Sequence, residues 1–309
     1  MDGPPPTTES DRKAILGSVF LMGFEGTAVK TNKKIEETWL TPAAAEQATL
    51  LIRELQAVAQ AAGHEHPLLI AVDQENGIVR SLVDSRWITQ LPSALGLAST
   101  QSAGNAYDVA LATGRELACV GINLILGPSI DVILDRGAPG LGSRAFGDDA
   151  NEVAKLGSAY IRGLRDAVVA STAKHFPLGS TLRFDESSTT VPVVFNSLDQ
   201  LRQKVLIPFQ EAIRENVDSV MAAGVAISSV GPKLMHACFS KKVVTDLLRQ
   251  QLGSDGVTIS ECLEMESISD HVGVGQAAVM GIHAGCDLLT ICQLLPLQHV
   301  VFVRSVEGT

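Results

Sequence analysis

Short apolar runs alternate with longer helical stretches along almost the whole chain, and this alternation restricts the possible folds more than any other feature. Seven runs have strand length: LGSVFLM (16–22), LLIAVD (68–73), INLILG (122–127), VVASTAKH (168–175), SVMAAGV (219–225), GVTIS (256–260) and CDLLTIC (286–292). Helical patterns lie between them near 43–62, 101–119, 149–166, 197–215, 241–251 and 275–284. Strands of near-continuous apolar character are buried on both faces, as in a parallel sheet. Their alternation with helices over about 250 residues indicates an α/β fold, with a closed (β/α)8 TIM barrel as the expected form and a doubly wound open sheet as the alternative.

A complete barrel needs an eighth strand. The missing one falls in 25–41, EGTAVKTNKKIEETWLT, which offers charge where a buried strand belongs. The tail after the last strand, QLLPLQHVVFVRSVEGT, is irregular where a closing helix is expected. The barrel is therefore expected to be incomplete in two places. Residues 1–14, polar and proline-rich, read as a flexible segment, and 15–309 as a single domain.

Charge narrows the partners. With 24 basic against 34 acidic residues and a net charge of −10, the chain lacks the positive footprint of a nucleic-acid binder. Aromatic residues make up only 4%, too few for a base-stacking platform. No run approaches the ~20 apolar residues of a membrane span. The first residues lack the basic and apolar regions of a secretory signal. Cys119, Cys238, Cys262, Cys286 and Cys292 are odd in number, widely spaced and without a CxxC, so they read as reduced core thiols in a cytoplasmic protein. The oligomeric state is left open.

Chemistry in a parallel barrel sits at the carboxyl ends of the strands. The second run ends in Asp73-Gln74-Glu75-Asn76-Gly77. Beyond the third come Asp131 and Gly142-Ser143-Arg144. The fourth ends in Lys174-His175-Phe176-Pro177, ahead of a loop with Asp185, Glu186 and Ser187, and the sixth in Ser260-Glu261. Carboxylates with a Lys, an Arg and a His suit a neutral polyhydroxylated ligand: the carboxylates accept from hydroxyls and the cations donate to them.

Plainer readings stand beside these. Arg144 could form a surface pair with Asp148 or Asp149. Asp131 could hold a turn together, and Glu261 could be a helix-start acid. Glu264 and Glu266 fit the solvated face of a helix. GVGQAA (273–278) follows a charged segment, so it reads as a helix opening and not as a dinucleotide fingerprint. The histidines lack metal-ligand spacing, so no metal is expected.

Together these segments resemble the catalytic barrel of family 3 glycoside hydrolases, in the β-N-acetylglucosaminidase branch and closest to its fungal members. AVDQENG (71–77) resembles the family's AVDQEGG, and GSRAFG (142–147) its GxRSFG. KHFP (174–177) matches the start of KHFPGHG, and ISECLEM (259–265) resembles SDDLxM. The resemblance implies a retaining glycosidase for terminal β-linked N-acetylglucosamine that needs no cofactor. It implies Glu261 as nucleophile, Asp185 as the acid/base-loop carboxylate, and Asp73, Arg144, Lys174 and His175 as sugar-binding groups.

Several positions depart from the pattern. Ser187 stands where the family has a catalytic His, and a serine hydroxyl is no general acid near neutrality; losing such a group costs roughly 10²–10⁴-fold. Glu261 replaces an Asp and reaches one bond farther, about 1.5 Å. Leu178-Gly179-Ser180 replaces GHG, and Ser81 replaces a frequent sugar-binding Arg. The alternative reading is a catalytically impaired sugar-binding relative or a truncated gene product.

Overall fold

The computed structural model describes residues 20–22, 44–82, 87–134, 141–179, 191–230 and 234–291. In chain order the elements are β1 (Phe20–Met22), α1 (Ala44–Ala61), β2 (Ala71–Val72), β3 (Gln74–Asn76), β4 (Val79–Arg80), α2 (Ala94–Ser99), α3 (Ala103–Val120) and β5 (Leu124–Ile125). There follow α4 (Ala150–Asp166), β6 (Ala170–Phe176), β7 (Val193–Val194), a helical run 198–214 (α5), β8 (Ser219–Ala222) and β9 (Ala226–Ile227). The last are a π-helical run α6 (Lys242–Gln251), β10 (Val257–Cys262), α7 (Glu266–Ser269), α8 (Val274–Ala284) and β11 (Leu288–Ile291).

All seven expected strand runs contain a strand, and all six helical stretches contain a helix. Apart from β10, which runs on to Cys262, the strands are shorter than the apolar runs: 68–73 pairs only at Ala71–Val72. The segment before them is held by side chains instead, since Gln56 bonds both the N–H and the carbonyl of Leu68 and Asn123 accepts from the N–H of Ile70. The β3–β4 hairpin, helix α2 and the β7–β9 pair were not anticipated; each is short and lacks a long apolar period.

The chain divides into two compact units, one drawn from Glu25–Arg183 and Ser197–Met221, the other from the remainder. In the first, β2, β5, β6 and β8 lie side by side in that order. Parallel pairing sets Ala71 against Leu124 and Leu124 against Ala170. Side chains lock the next neighbour: Asp218 accepts from both the N–H and the hydroxyl of Ser171, and the Thr172 and Ser219 hydroxyls are 2.8 Å apart. The crossover helices start on local caps. Ser102 accepts from Asn105 N–H at α3, Asp149 from Asn151 and Glu152 at α4, and Ser197 with Gln200 forms a capping box at α5.

In the second unit β1, β11 and β10 are neighbours, with Phe20 against Leu289 and Ile259 against Leu288. Leu263, Ile268, Ala277, Ala278, Leu289 and Ile291 form its core with Cys238 and Phe239. Gly273 precedes the first turn of α8, so GVGQAA opens a helix as expected. The cysteine reading needs one correction. Cys238 and Cys286 are buried thiols, with burial pushing Cys286 up to about 12, but Cys119 is exposed near the end of α3. It sits on the solvent side of an amphipathic helix whose other face carries Leu117 and Val120 inward.

Among the described residues no helix is long and apolar enough to cross a membrane. The gap at 25–41, the tail beyond 292, the flexible 1–14 segment and Cys292 lie outside the described residues.

Candidate active site

Four consecutive residues after β2 each do a different job. Asp73 and Glu75 share a face, both reaching Lys174, while Gln74 turns to the hairpin and Asn76, left-handed at φ 64°, to the helices. Gln74 accepts from the N–H groups of Ser81 and Leu82 and donates to the Leu82 carbonyl, which pins the chain leaving the hairpin. Asn76 donates to Thr113 of α3 and Tyr160 of α4, each at 3.1 Å. Those two bonds fasten the hairpin to the helices behind it. Ser81, at the position of a frequent sugar-binding Arg, instead donates its hydroxyl to the Asp73 carbonyl.

The same-face carboxylates meet two cations. Lys174, at the end of β6, places its Nζ 2.6 Å from Asp73 Oδ1 and 2.7 Å from Glu75 Oε1. Arg144 grips Glu75 with Nε and Nη2, both at 2.8 Å. Arg144 thus pairs with a buried carboxylate from another strand end, where the plainer reading offered Asp148 or Asp149. Asp149 is occupied as the α4 cap. Lys174 and Glu75 are almost wholly enclosed, whereas the Asp73 side chain is 46% exposed and that of Arg144 24%. The two exposed members are the ones able to touch a ligand.

The charges hold one another in place. Burial alone would raise the Glu75 carboxyl, but the Arg144 hydrogen bonds and the Lys174 charge outweigh it and hold its pKa at about 2. Burial likewise disfavours the Lys174 ammonium, and Asp73 and Glu75 reverse that and raise it. In the unfolded chain Glu75 has its ordinary value of 4.5, so its contribution to stability is complete above pH 4.5 and is lost as pH falls towards 2. The shift corresponds to about 3 kcal/mol. Denaturant melts across that window should show stability of the wild type falling and converging on a flatter Glu75→Gln curve.

His175 is held by Asp131, whose side chain is fully enclosed. The imidazole Nδ1 lies 2.7 Å from Asp131 Oδ2, and the carboxylate also accepts from His175 N–H, Ser129 Oγ and, at 2.6 Å, Gly179 N–H. Burial opposes ionisation of Asp131, but the His175 charge and these bonds hold it below the usual carboxylate range. Of the two readings offered for Asp131, the structure supports the turn-holding one. Gly179 is required here because a Cβ would sit 2.8 Å from Asp131 Oδ2.

Glu261 lies in the second unit. It belongs to β10, five residues ahead of α7, so the helix-start reading does not apply. The pairing of β10 with β11 slips by one residue between Ile259 and Cys262, a bulge that re-aims the intervening side chains. Ser260 secures the bulge by accepting from Thr290 N–H and donating to the Glu261 carbonyl. The Glu261 carboxylate is half-buried beside Gly224 N–H, at 3.4 Å. A Cβ at Gly224 would stand 3.0 Å from Glu261 Cγ. Gly224→Ala should therefore displace the carboxylate by a few tenths of an ångström and cut turnover roughly 10–100-fold, with the melting temperature barely moved. Steady-state kinetics beside a thermal melt check this.

Asp185 and Ser187 lie outside the described residues. Glu266 is exposed in the first turn of α7, as expected, whereas Glu264 lies in the turn before that helix, half-buried, with Cys262 Sγ 3.7 Å from its Oε2. The residue that sequence reasoning passed over is Glu75. Its signal was available: Arg144 and Lys174 were assigned as sugar-binding groups beside a single carboxylate, Asp73, with Glu261 and Asp185 kept for bond-making, and buried cations need matching countercharge. Among the described residues, no three His, Cys, Asp or Glu gather as metal ligands.

Residues 21–303 match the glycosyl hydrolase family 3 N-terminal domain. The chain belongs to glycosyl hydrolase family 3. A β-hexosaminidase of Stenotrophomonas maltophilia is 30% identical over 89% of this chain and 83% of its own length. The structure of a family 3 β-N-acetylglucosaminidase from Paenibacillus sp. superposes with a TM-score of 0.88 at 34% identity, covering 96% of this chain. A fungal multi-domain family 3 β-N-acetylglucosaminidase with a GCN5-related glucosamine N-acetyltransferase region gives 0.87 at 32% identity, again over 96%. The chain spans 58% and 36% of the length of those two proteins. The family 3 fold is the TIM-barrel-like α/β fold, and the parallel strands and crossover helices of the two units are its parts.

Proposed function

We propose that this family 3 chain hydrolyses terminal β-linked N-acetylglucosamine from its glycosides with retention of configuration. The observation that carries the reading is the cluster of Asp73, Glu75, Lys174 and Arg144 at the strand ends. It offers an exposed acceptor and an exposed donor, held by enclosed partners, for the hydroxyls of a neutral sugar. The names of the similar proteins support the choice of N-acetylhexosamine.

Glu261 attacks the anomeric carbon and forms a glycosyl–enzyme ester, while the leaving aglycone oxygen takes a proton from Asp185. Water then gives its proton to Asp185 and attacks the same carbon, which releases the sugar and restores both carboxyls. Asp185 works without a histidine partner, since Ser187 occupies that position. This pairing requires the two carboxyls ~5–5.5 Å apart. Asp131 keeps His175 oriented towards the sugar, and no cofactor takes part. We place the activity in the cytoplasm, consistent with Cys119, Cys238 and Cys286 as thiols.

The test is release of nitrophenol from its β-N-acetylglucosaminide and its β-glucoside by the purified chain. The expected result is turnover with at least ~10-fold preference for the N-acetylated sugar, which corresponds to one well-placed hydrogen-bonded contact. A cooperatively folded protein that releases nitrophenol from neither would overturn the proposal.

A further inference from the structure

Glu75 takes no part in the bond-making steps, yet it touches both cations of the cluster. Resting on the reading of Asp73, Arg144 and Lys174 as sugar-binding groups, we propose that Glu75 determines charge specificity: it makes this cluster accept uncharged sugars and turn away anionic ones.

The geometry carries the argument. Glu75 Oε1 meets Lys174 Nζ at 2.7 Å and Arg144 Nη2 at 2.8 Å, and Oε2 meets Arg144 Nε at 2.8 Å. The carboxylate is enclosed, so it faces the cations and not the ligand. With Asp73 as the other partner of Lys174, two cations stand against two carboxylates. Asp131, paired with His175, adds no positive surplus. A ligand arriving at the exposed edges of Asp73 and Arg144 therefore meets a balanced donor–acceptor pair. A sugar hydroxyl can donate to Asp73 and accept from Arg144 without any change in charge. An anionic sugar would bring a third negative charge against Asp73, with both cations already matched.

Without Glu75 the cluster holds two cations and one carboxylate. The same surface would then attract an anion. A purely structural brace predicts something different, because loosening the cations would weaken every ligand alike.

The experiment uses the full chain as wild type, as Glu75→Gln, and as the double variant Glu75→Gln with Arg144→Gln, which restores the balance. Calorimetry measures N-acetylglucosamine, its 6-carboxylate and its 6-sulfate, and nitrophenol release is read on the same samples. Wild type should bind the neutral sugar at least ~10-fold tighter than either anion, and Glu75→Gln should move that ratio about 100-fold towards the anions. The double variant should move it back. An unchanged ratio in Glu75→Gln, a wild type that prefers the anions, or binding of all three sugars too weak to measure overturns the inference. If Glu75→Gln does not fold, the wild-type ratio and the double variant decide. An inactive wild type with a shifting ratio removes the hydrolase reading and leaves this inference standing, while an active wild type with a fixed ratio does the reverse.

Discussion

Glu261→Gln is expected to lower kcat on a nitrophenyl β-N-acetylglucosaminide by roughly 10³-fold or more, with the melting temperature almost unchanged. The amide keeps the size of the carboxylate and its place on the β10 bulge, where Ser260 and Thr290 hold the backbone independently of the side chain. The carboxylate is only half-buried, and its bond from Gly224 N–H is long, so little stability depends on it. What the amide lacks is a negative oxygen able to attack the anomeric carbon. Kinetics of the two proteins at saturating substrate, beside thermal melts, check both halves. A variant with undiminished kcat would remove Glu261 from the mechanism.

Lys174→Met has the largest expected effect on stability. Methionine fills most of the space of the lysine stem, but Asp73 and Glu75 lose a cation held 2.6 and 2.7 Å away. Asp73 is exposed enough for water to take over. Glu75 is not, and it keeps only Arg144. Removing one member of a buried ion pair costs about 3–5 kcal/mol, because a charge stays buried without its match. Denaturant unfolding at pH 7 measures the loss. Adding Glu75→Gln to Lys174→Met should recover a substantial part of it, since the stranded charge is then gone. If the double variant is as unstable as the sum of the singles, the two residues do not interact as the geometry indicates.

The sequence was most informative where one physical signal dominated. Near-continuous apolar runs marked β1, β2, β5, β6, β8, β10 and β11, because strands buried on both faces carry few charged positions to interrupt the pattern. The bounds were less legible. Pairing in β2 covers two residues, and the flanking chain is held by Gln56 and Asn123 through bonds no periodicity encodes. The hairpin at Gln74–Arg80 is polar throughout its first strand, and it is fixed by side chains that reach Thr113, Tyr160 and Leu82.

The same division holds for the site. Asp73, Lys174, His175 and Glu261 could be nominated because they stand at the ends of apolar runs, and Arg144 because its GSRAFG segment lies beyond the third run. Which residue pairs with which depended on distant segments coming together. Arg144 lies 69 positions from Glu75 in the chain, and Lys174 lies 101 from Asp73. Local reading therefore offered Asp148 and Asp149 as partners for Arg144, the nearest opposite charges in sequence. Asp131 shows the converse: its residue type fitted either a ligand contact or a turn brace, and only its enclosure among Ser129, His175 and Gly179 distinguishes them.

The most direct test of the mechanism is covalent. A fluorinated N-acetylglucosaminyl fluoride, whose attached fluorine slows breakdown of the ester more than its formation, should leave the protein heavier by one sugar residue. Peptide mapping should place that mass on Glu261. Turnover of the nitrophenyl glycoside with no adduct, or an adduct on any other residue, would contradict the assignment of Glu261 as the nucleophile of a retaining glycosidase.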